Sequence, residues 1–340
     1  MTIRLNNPFD VKVSSSVFVH YEVFITYEPL PVCSTELPHY SLILTNVTVN
    51  DSRFDLNIHH ATSYNLSVII DHYYSIIYSY STFFLGDSLF SLYIKNSSFR
   101  SVLTGYYVFY ITFSAKLNPK KCKFPRIHLI STFVIEDSQF HDNWYGIKIS
   151  GIPYLPKTHR NHFISIIIKS CLISKNTITG LSIDEKFLTL VQINITDTEL
   201  IGNGGTSILN SNAISLSNVT VANNTSTGMK LKASIVTIEN KLTLRSNAGV
   251  VGGGLAINES SQLILTSSAN LEFIDNHASY KGGGIYLEET SNSVITLEAS
   301  NIPLTLINNS AGIFGDDIYG YTINHGNNHF NLTNPNISST

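Results

Sequence analysis

The sequence predicts an all-β solenoid, a stack of short parallel coils held in a common register. Three observations predict it. One phrase recurs between residues 138 and 318: an apolar residue, two spacers, an asparagine, a glycine a few residues on, then an apolar-x-apolar strand. Its asparagines return every 21 to 33 residues, a solenoid period and not that of a compact globule. The residues ahead of each asparagine alternate in polarity, as a strand with one buried face requires.

Taken in chain order, the N-terminal third repeats least regularly. Strand-like sequence starts within 11–25. Phe54…Asn57 fits the phrase, and Phe99…Val102 fits with valine where asparagine belongs. Aromatic strand sequence follows over 106–113. The stretch 116–126 holds five of the 21 basic residues and reads as a solvated loop between coils. A second such loop is expected over 153–162. The regular copies then run Phe140…Asn143…Gly146, Ile173…Asn176…Gly180, Val221…Asn224…Gly228, Leu244…Asn247…Gly254, Phe273…Asn276…Gly284 and Leu306…Asn309…Gly315. Leu200…Asn203 fits with a weaker downstream strand. One β-helix domain is expected over 1–323, irregular to 130 and regular from 131, with a polar tail over 324–340.

Registering the copies on asparagine aligns two further columns. Five residues upstream stand Ser138, Cys171, Thr198, Val219, Leu242, Leu271 and Leu304; three residues upstream stand Phe140, Ile173, Leu200, Val221, Leu244, Phe273 and Leu306. Both are apolar or small, and the residue between is mostly polar. A strand this short cannot bury its face alone and must stack on copies of itself, about 4.8 Å apart. Asn143, Asn176, Asn203, Asn224, Asn247, Asn276 and Asn309 are then expected to form an internal ladder, because an amide carries both donor and acceptor. Asparagine also tolerates the left-handed backbone region, so these residues are expected to turn the corner themselves, with the following glycines supplying turn geometry.

The arrangement resembles the right-handed parallel β-helix, the pectin-lyase-like fold, and nine or ten coils of it are expected. More narrowly, Phe273-Ile274-Asp275-Asn276, Phe140 to Asn143, Gly253-Gly254-Leu255-Ala256-Ile257 and Gly283-Gly284-Ile285-Tyr286 resemble the repeats of chlamydial polymorphic outer-membrane proteins. Gly315-Asp316-Asp317-Ile318-Tyr319 looks like a degenerate last copy. The resemblance covers about 130–320 and implies an adhesive surface protein.

Composition narrows the function. Charged residues are 13% of the chain, about half the usual ~25%. A net charge of −3 gives no electrostatic reason to bind nucleic acid or anionic membrane. The most apolar tract, 64–94, is too polar for a membrane span. Residues 1–10 lack the apolar centre of a signal peptide, so the chain reads as a fragment with earlier coils missing. Sequons of the N-x-[ST] kind start at Asn46, Asn50, Asn65, Asn96, Asn194, Asn218, Asn223, Asn224, Asn258, Asn308, Asn331 and Asn336. With the low charge they favour an extracellular or cell-surface address. Three cysteines make no self-contained disulfide framework: Cys171 falls in a core column, while Cys33 and Cys122 lie in loop-like sequence and either pair or do not.

Against this background adjacent Asp316 and Asp317 are the sharpest catalytic candidates. In the polygalacturonase branch of the resembled fold such a pair belongs to an inverting hydrolase. That branch also implies Asn-Thr-Asp, Gly-His-Gly and Arg-x-Lys motifs, and none is here. In the preceding copy the same positions are Gly283 and Gly284, and no Lys or Arg follows Lys281. Asp316 and Asp317 therefore read as turn residues. No acidic column for Ca²⁺ appears, and His159-Arg160-Asn161-His162, His59-His60 and Asp71-His72 lack further ligands at metal spacing. Neither a cofactor nor a metal is expected. The expected function is a non-catalytic extracellular or cell-surface repeat protein for adhesion, structure or glycan binding. Its expected partners are carbohydrate or a cell-surface or matrix protein. The alternative is a polysaccharide-active hydrolase or lyase.

Overall fold

The computed structural model describes residues 2–5, 10–19, 22–27, 39–50, 53–58, 65–77, 83–85, 90–101, 109–113, 129–151, 162–185, 191–288, 293–320, 323–324 and 330–333. Cys33, Cys122, His59-His60, the 116–126 loop and residues 153–161 lie outside them. The chain divides into two compact units, one of 1–171 with 185–192, the other of 172–184 with 193–340. Among the described residues every element is a strand, and the pairings below are all parallel. The fold is a parallel β-helix solenoid.

In the first unit one stack runs Asp10–Val19, His39–Asn50, Asn65–Ile77, Phe90–Lys95, Leu129–Glu136 and His162–Lys169. A second runs Thr2–Leu5, Glu22–Tyr27, Arg53–Ile58, Phe83–Leu85, Phe109–Phe113 and Tyr145–Gly151. Sequential strands thus alternate between stacks, so each coil contributes to both. Asn57 lies on the second stack, in line with Phe84, Tyr110 and Lys148. The Phe54…Asn57 match is therefore not a ladder copy: its spacing is right, but it falls on the wrong side of the coil. Phe99 does pair in register with Phe140. Their rings stack at 4.9 Å, and Tyr73 adds a third at 5.4 Å.

The second unit repeats the plan. Leu172–Ser174, residues 193–201, Ile214–Ala222, Lys241–Arg245, Asn270–Ile274, Ile302–Ile307 and Phe330–Thr333 stack in register. Thr179–Asp184, Thr206–Leu209, Met229–Lys232, Leu255–Asn258, Ile285–Leu287 and Ile318–Tyr319 form a second stack. A third holds Ala248–Val251, His277–Lys281 and Ser310–Ala311. Phe330–Thr333 falls within the stretch expected as a polar tail.

The predicted alternation sets the core. All residues of both upstream columns are buried, while Gln139 and Glu199 between them are exposed. Stacking in register brings Ile173, Leu200, Val221, Leu244, Phe273 and Leu306 into one file. Each such side chain contributes about 1.5–3 kcal/mol by leaving water.

Corners are turned differently from expectation. None of the ladder asparagines has a positive φ; the residue before it does, at Asp142, Lys175, Gly202, Asn223, Ser246, Asp275 and Asn308. The left-handed residue reverses the chain and points outward, which leaves the next side chain, the asparagine, directed inward. Each unit also has a further file of left-handed corners, which holds Asn46, His72, Asn96, Asp137 and Ser170 in the first and Asp197 and Asn218 in the second.

Candidate functional site

The seven asparagines are buried, with exposures of 0–2% except for Asn309 at 8%. In the second unit six of them form a directional ladder. Oδ1 of Asn203, Asn224, Asn247, Asn276 and Asn309 accepts from the asparagine one coil earlier. Asn176 Nδ2 donates to Asn203 at 2.8 Å, Asn224 to Asn247 at 2.8 Å, Asn247 to Asn276 at 2.9 Å and Asn276 to Asn309 at 3.0 Å. The same oxygens take backbone N–H groups, as Asn224 Oδ1 does from Asn203 at 2.7 Å. The other Nδ2 hydrogen goes to a carbonyl one coil back, from Asn203 to Ile173, Asn247 to Val221, Asn276 to Leu244 and Asn309 to Phe273. In the first unit Asn143 makes this contact to Phe99 O at 3.3 Å.

Glycine makes room for the ladder. A Cβ on Gly180 would stand 2.6 Å from Asn203 Nδ2, and one on Gly228 would stand 2.7 Å from Asn247 Nδ2. Neither has a positive φ, so space and not turn geometry demands glycine there. The turn itself falls to the first glycine of each triplet, Gly252 and Gly282, at φ +59 and +67.

This frame places the two catalytic candidates. Asp316 follows Gly315 in line with Gly283, and Asp317 is in line with Gly284. Adjacent in sequence, they face opposite ways. Asp316 is exposed, and its Oδ1 accepts the Ala311 N–H at 2.8 Å. Asp317 is 3% exposed, and its Oδ1 accepts from Asn309 Nδ2 at 2.8 Å. Each thus serves the structure, one by closing a turn and the other by ending the ladder. An inverting hydrolase needs two carboxyls about 6.5–9.5 Å apart across a shared cleft, and side chains pointing to opposite faces do not form one.

Hydroxyl columns are the polar feature that sequence reasoning missed. Ser97 Oγ donates to Lys95 O at 2.7 Å and accepts the Tyr73 N–H at 3.2 Å. Ser138 Oγ repeats this, donating to Glu136 O and accepting the Ser97 N–H. Cys171 continues the pattern with sulfur: its thiol donates to Lys169 O at 3.2 Å and takes a backbone hydrogen bond at Ser138. Burial pushes that thiol up to about 11. In the second unit, Ser211 N–H donates to Ser234 Oγ, and Ser234 N–H to Ser261 Oγ, both at 3.1 Å. The small residues Ser138, Cys171 and Thr198 were the available signal.

The surface carries modest electrostatics. Tyr93 hydroxyl and Lys95 both bond Glu136, Lys95 at 2.9 Å, and hold its carboxyl below the usual range. Lys232 pairs with Glu259, and Lys241 with Glu272, each at 2.8 Å. Such exposed pairs contribute ~0–1 kcal/mol each. Asp71 and His72 pair with one another at 2.8 Å. Among the described residues no group of three His, Cys, Asp or Glu could hold a metal ion. No helix there is long and apolar enough to cross a membrane, which says nothing of spanning by strands.

One face of the second unit is apolar and exposed. Val250 is 67% exposed, Ile313 54%, Phe314 45% and Tyr280 44%. They lie on and just after the third stack. The Lys281 ammonium sits among the rings, 4.1 Å from the Tyr319 centroid, 5.2 Å from Tyr280 and 5.8 Å from Phe314. It donates to Tyr319 Oη at 2.6 Å. Tyr286 lies parallel to Tyr319 at 5.8 Å.

No protein-family model, no curated protein and no solved structure matches the chain, so the parallel β-helix is known here from its own registers and columns.

Proposed function

We propose that this chain is a non-catalytic repeat protein of the cell surface or extracellular matrix, acting in adhesion, with pectin-lyase-like coils of the polymorphic outer-membrane kind. Its partner is a carbohydrate or a cell-surface or matrix protein. The observation that carries this reading is the exposed face of Val250, Tyr280, Ile313 and Phe314 around Lys281. Exposed apolar side chains grouped on one face mark contact sites far more often than scattered ones do. Aromatic rings with a central cation suit partners that combine an apolar face with polar or anionic groups. The engagement of both Asp316 and Asp317 in structural hydrogen bonds lends the hydrolase alternative little support.

Binding to arrays of neutral and acidic glycans and to immobilised matrix proteins tests the reading. Tyr280→Ser/Phe314→Ser should lower the strongest signal at least tenfold without changing the melting temperature. Undiminished binding by the double variant would remove this face from consideration. Release of reducing ends or unsaturated products from a glycan, abolished by Asp316→Asn, would replace adhesion with catalysis.

A further inference from the structure

Sequons are spread along the whole chain, and the fold sets several of those among the described residues apart from the rest, Asn194 and Asn258 being half-buried on strands. Asn46, Asn96, Asn218, Asn223 and Asn308 are all exposed, and all five occupy left-handed corners, with φ between 49 and 56. Asn224 begins a sequon too, yet it is 2% exposed and its Nδ2 is bonded to Asn247 Oδ1 inside the ladder. Asn223 and Asn224 are adjacent, their sequons overlap, and one points out while the other points in.

We propose that, among the described residues, these exposed corners are N-glycan attachment sites: Asn46, Asn96, Asn218, Asn223 and Asn308, with Asn224 excluded. The inference rests on the extracellular reading above. The donor is a polyprenyl-diphosphate-linked oligosaccharide. The asparagine Nδ2 bonds to the sugar C1, the C1–O bond to diphosphate breaks, one amide proton is lost and polyprenyl diphosphate leaves.

Three features fit this chemistry. A corner side chain points away from the stack, so a glycan there displaces no sheet contact. Modification leaves one hydrogen on Nδ2, enough for Asn218 to keep its bond to Asp197 Oδ1, now 3.1 Å long, and Asn96 its bond to Asp71 Oδ1, now 3.2 Å long. Acceptors also never occupy successive coils of one corner file. His72 separates Asn46 from Asn96, while Ser246 and Asp275 separate Asn223 from Asn308. At least two coils of spacing leave roughly 10 Å or more between glycans of one corner file. Asn224 offers the reverse of all this, since a sugar on its amide would break the ladder.

The test is the full chain made in a eukaryotic secreting host and purified as soluble, folded protein. Glycosidase treatment in heavy-oxygen water converts each occupied asparagine to a labelled aspartate, read by peptide mass spectrometry. Label is expected at the five corners and not at Asn224. Thr225→Ala sharpens it, since this change destroys the Asn223 sequon and leaves that of Asn224, completed by Ser226, intact. The expected result is one glycan fewer. A glycan transferred to Asn224 in folded protein, or corners left bare, overturns the assignment. Thr220→Ala should remove only the Asn218 glycan while leaving its corner unchanged. If the protein is retained rather than secreted, the same mapping on cell-free translation with microsomes decides the five corners. Occupancy does not depend on partner binding, so bare corners count against these sites alone, and failed adhesion counts against the adhesive reading alone.

Discussion

The Asp317 carboxylate accepts a hydrogen bond from Asn309 Nδ2 at 2.8 Å, standing where the next asparagine's Oδ1 stands in the rungs before it. The ladder thus ends on a side chain taken from a glycine column. Asp317→Asn keeps an oxygen in place and should change stability by less than about 1 kcal/mol. Asp317→Leu strips the acceptor from a buried amide and should cost roughly 1–3 kcal/mol. Urea unfolding measures both, and equal loss in the two variants would refute the terminating role.

Interior rungs should matter more. Asn247 accepts from Asn224 and donates to Val221 O and Asn276. Asn247→Ala leaves several buried groups without partners, and roughly 3–5 kcal/mol should be lost. Asn309→Ala, at the more exposed end, should lose less. The order of the two denaturation midpoints is the check.

The glycines divide into those that make room and those that turn the chain, and alanine separates them. Gly228→Ala drives a Cβ to 2.7 Å from Asn247 Nδ2 and 2.8 Å from Gly254 O, so a loss of roughly 2–4 kcal/mol is expected. Gly202 has room for a Cβ, with nothing nearer than Lys175 Cγ at 3.9 Å, but φ +67. Its alanine variant should lose only about 1 kcal/mol, and Gly202→Asn still less, because Asn223 and Asn308 hold the same corner. Thermal melts of the three variants should rank in that order.

Cys171 gives a pH signature. Its thiol is raised from 9.0 to about 11 in the folded chain. Below 9 both states hold the proton and its contribution is fully present. Between 9 and 11 only the unfolded chain ionises, so stability falls as pH rises, by roughly 2–3 kcal/mol near pH 11. Cys171→Ser should fold, since serine fills the same column at Ser97 and Ser138, and should lack this loss. Stability of both proteins from pH 8 to 11 tests it; parallel curves would show that the thiol does not titrate this way.

The fold was largely legible because its signal repeats. Ile173, Leu200, Val221, Leu244, Phe273 and Leu306 announce one buried file, and a recurring asparagine announces an amide ladder. Corners were misjudged because conformation there belongs to the residue before the asparagine. That position tolerates Asp, Lys, Gly, Asn or Ser, so no single residue type marks it. Asn57 misled because spacing alone does not tell one side of a coil from the other. Ser211, Ser234 and Ser261 passed unseen because serine is common in this chain and their columns carry no second motif. Asp317 was legible as a departure from glycine, though its bond to Asn309 required the backbone path of the last coil.

The ladder also has polarity. Its amide-to-amide hydrogen bonds all run in the same sense, from earlier coils toward later ones, so the dipoles of the amides add along the stack as peptide dipoles do along a helix. The donor end carries the partial positive charge and falls at Asn309. A carboxylate is the natural counter-charge for such an end, as it is at a helix N-terminus. The solenoid therefore has chemically distinct poles: a coil joined beyond Asn309 must present an oxygen to it, whereas one joined at the opposite end must present a hydrogen.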